Sequence, residues 1–187
     1  VPAQYQLARV ELVKGCLARK EYDRALKLIE ECYVYPHNLG EGKLPGAQEN
    51  DFNYYKARIL QETGHADEAR ALYEAASVGN SQPAAAIYYN DQKPDKIFYQ
   101  GLALLRLGRE TEARSRFNNL ISYGEKHLYD VFKMDYFAVS LPDLQIWEDD
   151  MDRKNVIHCN YLMGLGYLGL GDKTKAEQYF AEAAELD

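Results

Sequence analysis

Small and apolar residues recur along this chain in one fixed order. A small residue is followed three positions on by a larger apolar one, then four on by a helix-breaking residue. Alanine comes five later, and two more small or apolar residues follow at steps of four and three. Gly101, Leu104, Gly108, Ala113, Phe117 and Leu120 hold this spacing, as do Gly164, Tyr167, Gly171, Ala176, Phe180 and Ala183. Ala57, Leu60, Gly64, Ala69, Tyr73 and Ala76 form a third set, and Val13, Cys16, Lys20, Ala25, Ile29 and Cys32 a looser fourth with lysine at the break. Steps of three and four keep side chains on one helix face, so each set predicts a helix, a tight turn and an antiparallel helix. Glycine at the break supplies the left-handed cap that a larger residue adopts only under strain. Asp67, Glu110 and Asp172 stand near the next helix start, where carboxylates meet the positive end of the helix dipole. One such hairpin leaves apolar faces bare, so the hairpins must stack.

The marker alanines Ala25, Ala69, Ala113 and Ala176 are 44, 44 and 63 residues apart. A helix–turn–helix unit of about 34 residues leaves insertions after each of the first three units. The expected organisation is one domain over 1–187, with units near 6–39, 50–83, 94–127 and 157–187 and insertions near 36–49, 78–93 and 124–153. Glycine and proline between Tyr35 and Gly46 predict a loop. A short helix is expected from Ala84 to Asn90, and an amphipathic one from Glu125 to Ser140 with Leu128, Val131, Phe132, Tyr136 and Val139 on its apolar side.

These sextets resemble the tetratricopeptide repeat, most closely in the last three units. The resemblance implies an all-α, right-handed superhelix of tetratricopeptide-like helix hairpins, here with helical insertions. The segments Asn38–Lys43, Tyr88–Gln92, Asp135–Asp143 and Arg153–Gly171 also resemble the carboxy-terminal repeat region of a family of large uncharacterised bacterial proteins, in which a β-rich domain precedes the repeats. That resemblance, with Val1 in place of an initiating Met, implies a fragment of a longer protein, and it brings no catalytic residues to carry over.

In a tetratricopeptide array the first helices line a concave groove through positions two, five, nine and twelve of each unit. Counted from Gly164, Gly101, Ala57 and Val13 at position eight, these positions are Leu7, Val10, Lys14 and Leu17; Asp51, Tyr54, Arg58 and Gln61; Asp95, Phe98, Leu102 and Leu105; and His158, Tyr161, Leu165 and Leu168. The carboxylate clamp of the best-known peptide-binding members, Lys and Asn at positions five and nine, is absent. The candidate peptide-binding groove is therefore aromatic and aliphatic, built from Lys14, Tyr54, Arg58, Gln61, Phe98, Leu102, Tyr161 and Leu165. Two readings stay open here: these side chains are anchors for a peptide, or the insertions fold back and bury them.

Charge and chemistry narrow the class further. With 22 basic against 29 acidic residues the net charge is -7, a poor match to nucleic acid or anionic membrane. Sparse cysteines, Cys16, Cys32 and Cys159, suit a reducing compartment, with the cytoplasm as the expected location. Asp149, Asp150 and Asp152 lack the calcium-loop pattern and read as a solvated loop or helix end. The run from Gly164 to Gly169 spells a dinucleotide fingerprint but has no strand before it, so close helix packing explains it better. The expectation is a non-enzymatic interaction or scaffolding module, with no catalytic, cofactor or metal residues, as a monomer or weak homodimer. Its partner would be a protein or peptide, including the upstream domain of its own chain. The alternative is an accessory domain of a carbohydrate-active enzyme whose catalytic part lies outside this sequence.

Overall fold

The structure, a computed structural model, describes residues 2–36, 38, 40, 42–43, 46–86, 91–131 and 150–187. Among the described residues it is all-α: a superhelix of tetratricopeptide-like hairpins. The helices are α1 (Pro2–Ala18), α2 (Tyr22–Cys32), α3 (Asn50–Glu62), α4 (Ala66–Ser77), α5 (Pro94–Arg106), α6 (Glu110–His127), α7 (Met151–Leu170) and α8 (Lys173–Leu186). Each odd-numbered helix packs on the next as a hairpin, and hairpins stack through α2–α3, α4–α5, α6–α7 and the inner row α1–α3–α5–α7.

The sextet is the framework of each turn. The carbonyl of its second residue accepts a hydrogen bond across the turn, from Glu21 to Cys16, His65 to Leu60, Arg109 to Leu104 and Asp172 to Tyr167, at 2.9–3.0 Å. Gly64, Gly108 and Gly171 take the left-handed conformation at φ 86, 75 and 86°, and Lys20 is forced into the same one at φ 59°. The fourth residue then closes the first turn of the second helix: the amides of Ala25, Ala69, Ala113 and Ala176 donate to Glu21, His65, Arg109 and Asp172. At the first position, a Cβ on Gly101 would lie 2.3 Å from the Phe117 ring, and one on Gly164 would lie 2.5 Å from Phe180. The glycines are thus the slots into which the second helices press their aromatic rings.

The first insertion carries no α-helix where it is described, as the loop expectation has it. Of the helix expected over 84–90, residues 84–86 carry none, with Ala86 at φ 55°, and residues 87–90 lie outside the described residues. Side chains from four helices bond carbonyls along residues 76–84 instead. The Asn50 amide donates to the Ala76 and Val78 carbonyls at 2.8 Å each, Gln100 to Asn80 at 3.1 Å, Asn119 to Ser81 at 3.0 Å and His158 Nε2 to Ala84 at 2.8 Å. Such a chain of partners satisfies the backbone without helical bonds, so local propensity is overridden. Of the amphipathic helix expected over 125–140, residues 125–127 are the end of α6, Leu128–Val131 leave the helix, and residues 132–140, with Phe132, Tyr136 and Val139, lie outside the described residues. The fourth hairpin starts earlier than position 157, at Met151, because the Asp150 carboxylate caps α7 by accepting the Arg153 amide at 3.0 Å. Among the described residues no helix is long and apolar enough to cross a membrane.

Candidate functional site

Repeat positions two, five, nine and twelve all fall on α1, α3, α5 and α7, which pack in one row. Leu7 and Val10 of α1, Asp51 of α3 and Asp95 of α5 line one cleft on the surface of that row, and burial pushes the Tyr161 hydroxyl of α7 up to about 12.

On that surface the predicted residues divide. Tyr54 is only 6% exposed, with its ring 5.4–5.9 Å from those of Tyr55, Tyr73 and Tyr99. Leu165, also 6% exposed, joins Ile97, Leu120 and Leu162 in the core. Both belong to the packing between hairpins rather than to an open wall. Phe98 and Leu102 are half-buried, Phe98 against Tyr99 and Phe117. Lys14 Nζ bonds Glu11 at 2.6 Å, and Gln61 is exposed, accepting from the Tyr73 hydroxyl at 2.8 Å. Tyr161 is 38% exposed. Arg58 is half-buried and forms no ion pair with a described residue. It stands near enough to Tyr55 and Tyr73 for its charge to act on both hydroxyls, which burial pushes up, Tyr73 to about 12.

The joint between the second and third hairpins is a ladder of equivalent positions, a feature the sextet reading overlooked. Gln48 Nε2 donates to Gln92 Oε1 at 2.6 Å, and the Tyr55 and Tyr99 hydroxyls bond each other at 3.0 Å; both pairs are 44 residues apart, the repeat interval itself. Lys96 Nζ reaches Asp51 at 2.6 Å and Asp95 at 3.6 Å. Burial opposes charge on Lys96, but the two carboxylates overcome it and leave its pKa raised; burial holds Asp51 above the usual carboxylate range against the attraction of Lys96.

Around this ion pair lies a cleft of about 460 Å³. Its floor is α1, α3 and α5, and its rim comes from Tyr35 and the first two insertions, including Gln48, Asp91 and Lys93. The insertions therefore do not simply fill the groove at this end; they extend its walls. Asp51 and Asp95 are the position-two residues that the repeat register puts in the lining, and Lys96 beside them lies outside that register. The recurrence of acid at 44-residue spacing was the available signal.

The remaining nucleophilic and titratable groups are buried. Burial pushes the Cys32 thiol up to about 12 and Cys159 up to about 11, and all three cysteines are free and buried. Burial holds His158 below its usual value, and its Nε2 donates to the Ala84 carbonyl at 2.8 Å. Among the described residues no cluster of His, Cys, Asp and Glu is arranged to hold a metal ion.

No family model matches the chain. Among solved structures, a crystal structure of MamA aligns over 97% of this chain and 77% of its own, at 16% identity and a TM-score of 0.33. A second MamA structure, designated AMB-1, aligns over 98% of this chain and 99% of its own, at 17% identity and a TM-score of 0.29. A third, designated MSR-1, covers 100% and 96%, at 13% identity and a TM-score of 0.27. Similarity at this level assigns no function to the chain.

Proposed function

We propose that this chain is a protein-interaction module whose concave face takes a peptide segment of a partner or of an upstream domain of its own chain. One observation carries the reading. Of the nine large apolar side chains left exposed among the described residues, Leu7, Leu105, Tyr161 and Leu168 occupy groove positions on the odd-numbered helices, and Leu12, Val34, Val78, Tyr129 and Val131 do not. Four exposed apolar side chains on one row of helices are surface of the kind an interaction site uses. Phe98 and Leu102 add half-buried apolar surface, and the Arg58 guanidinium, in no ion pair with a described residue, would orient a partner's carboxylate or carbonyl.

The test is to pan a displayed random-peptide library against the chain and against Tyr161→Ala and Arg58→Glu variants. Both sites are accessible enough to change without opening the core, which Tyr54→Ala would do. The proposal expects peptides with apolar anchors that are retained by the parent and lost by both variants at unchanged helicity. Peptides held equally by all three chains, or no enrichment at all, would remove the groove as the working surface. The accessory role toward a carbohydrate-active domain has no observation of its own in this structure.

A further inference from the structure

Around the Tyr73 hydroxyl of α4, where the second hairpin meets the third, the polar groups of the groove are mostly donors. The hydroxyl donates to Gln61 Oε1 at 2.8 Å, which commits the acceptor of this exposed side chain and leaves its N–H groups to a ligand. Arg58 lies three residues before Gln61 and four after Tyr54, so all three share one face of α3. Arg106 comes to the same place from α5 by the repeat register. It stands to Tyr73 as Gly169 of the fourth hairpin stands to Phe117, and a Cβ on Gly169 would lie 2.2 Å from the Phe117 ring. The charges of Arg58 and Arg106 accordingly both act on the Tyr73 hydroxyl.

Neither guanidinium forms an ion pair with a described residue. Glu62 is the acid whose charge also reaches Tyr73, and its carboxylate turns to the first hairpin, accepting from the Tyr22 hydroxyl at 3.4 Å. Two like charges gathered without a shared counter-charge repel, and a carboxylate between them relieves that repulsion while taking charge-assisted hydrogen bonds from both. The net charge of -7 opposes an acid at long range, but physiological salt screens charges beyond about 8 Å, so the guanidiniums at contact decide. The exposed apolar residues of the groove flank this corner, Leu7 on α1 and Leu105, Tyr161 and Leu168 on α5 and α7. A peptide that reaches both groups crosses the corner in mid-chain, so the carboxylate it presents there belongs to a side chain.

We infer that Arg58, Arg106 and Gln61 seat an aspartate or glutamate side chain of the bound peptide, between its apolar anchors. This rests on the peptide-binding reading above and adds the partner's chemistry: one acidic residue with apolar residues on either side.

The experiment is a titration of the isotope-labelled chain, followed by amide chemical shifts, with three heptapeptides. The first is acetyl-Leu-Ser-Leu-Glu-Leu-Ser-Leu-amide, the second has glutamine for glutamate, and the third is the glutamine peptide with a free carboxyl end. The glutamate peptide is expected to shift Arg58, Gln61, Leu105 and Arg106 saturably. It should bind about fivefold tighter than the glutamine peptide, the scale of a partly exposed ion pair. Arg58→Gln and Arg106→Gln should each bring that ratio toward one and leave the affinity of the glutamine peptide unchanged, which a damaged fold would not do. Equal binding of the glutamate and glutamine peptides, a ratio that both variants leave intact, or a free carboxyl end that matches the glutamate would overturn the assignment. The two readings fail separately. A glutamine peptide held on the inner helices as tightly as the glutamate peptide removes this assignment alone. Glutamate-dependent binding that Tyr161→Ala leaves untouched removes the apolar groove alone, and no binding by any of the three removes both.

Discussion

The same substitution, glycine to alanine, should act with opposite sign at two helical positions of this chain. Gly15 lies inside α1, where a new Cβ meets only the Arg19 guanidinium, at 3.3 Å, the far end of a flexible side chain. Alanine there gains up to about 1 kcal/mol of helix propensity and loses nothing in packing. Gly101 lies inside α5, where the new Cβ would stand 2.3, 2.6 and 3.0 Å from three atoms of the Phe117 ring. Ordinary contact begins near 3.4 Å, so the ring must retreat by about an ångström. It has nowhere to go: Phe117 is 1% exposed, and Gly169 of α7 already approaches it so closely that a Cβ there would lie 2.2 Å away. Overpacking of a filled core costs about 1–3 kcal/mol, and a ring held from two helices belongs at the upper end. Against the propensity gain, Gly101→Ala should still be destabilising by roughly 1–2 kcal/mol. Urea unfolding followed by far-ultraviolet circular dichroism reads both, with the midpoint rising for Gly15→Ala and falling for Gly101→Ala. Adding Phe117→Leu to Gly101→Ala should recover part of the loss, since the two changes share one space. A neutral or stabilising Gly101→Ala would refute the claim that glycine is there to admit the ring.

Three further outcomes follow from the turns, the histidine and the thiols. Lys20→Gly removes a non-glycine residue from φ 59° and should raise stability by about 0.5–1 kcal/mol in the same unfolding assay. Burial lowers the His158 pKa below its usual 6.5, so the unfolded chain takes up a proton that the folded chain resists. Stability should therefore fall as pH drops through about 6.5, and His158→Gln, which keeps a donor for Ala84, should flatten that fall when melting is compared at about pH 7 and about pH 5. The buried thiols of Cys32 and Cys159, with pKa values pushed up to about 12 and about 11, should resist a thiolate-selective disulfide reagent in the folded chain and react once urea unfolds it.

What could be read from the sequence was local and periodic. Each sextet is closed by backbone bonds within one hairpin, from Cys16 to Ala25 or from Tyr167 to Ala176, so spacing alone determines it. The path of residues 78–86 was not legible, because its partners Asn50, Gln100, Asn119 and His158 are 20–74 residues distant and no local pattern announces an amide that reaches a remote carbonyl. Alanines at 84–86 favour helix on propensity, and the tertiary bonds prevail over it. Tyr54 shows the same limit at the groove. Its repeat position faces inward, but Tyr55, Tyr73 and Tyr99 crowd the joint and take it into the core. The cleft combines both cases, since its floor follows the repeat register while its rim depends on two insertions meeting across α3 and α5.

The account stands most directly on where a selected peptide sits. Amide chemical-shift mapping of the tightest library peptide on the labelled chain should place the perturbed residues on the inner helices, at Arg58, Leu105, Tyr161 and Leu168. Perturbations confined to the outer helices α2, α4, α6 and α8 would contradict it.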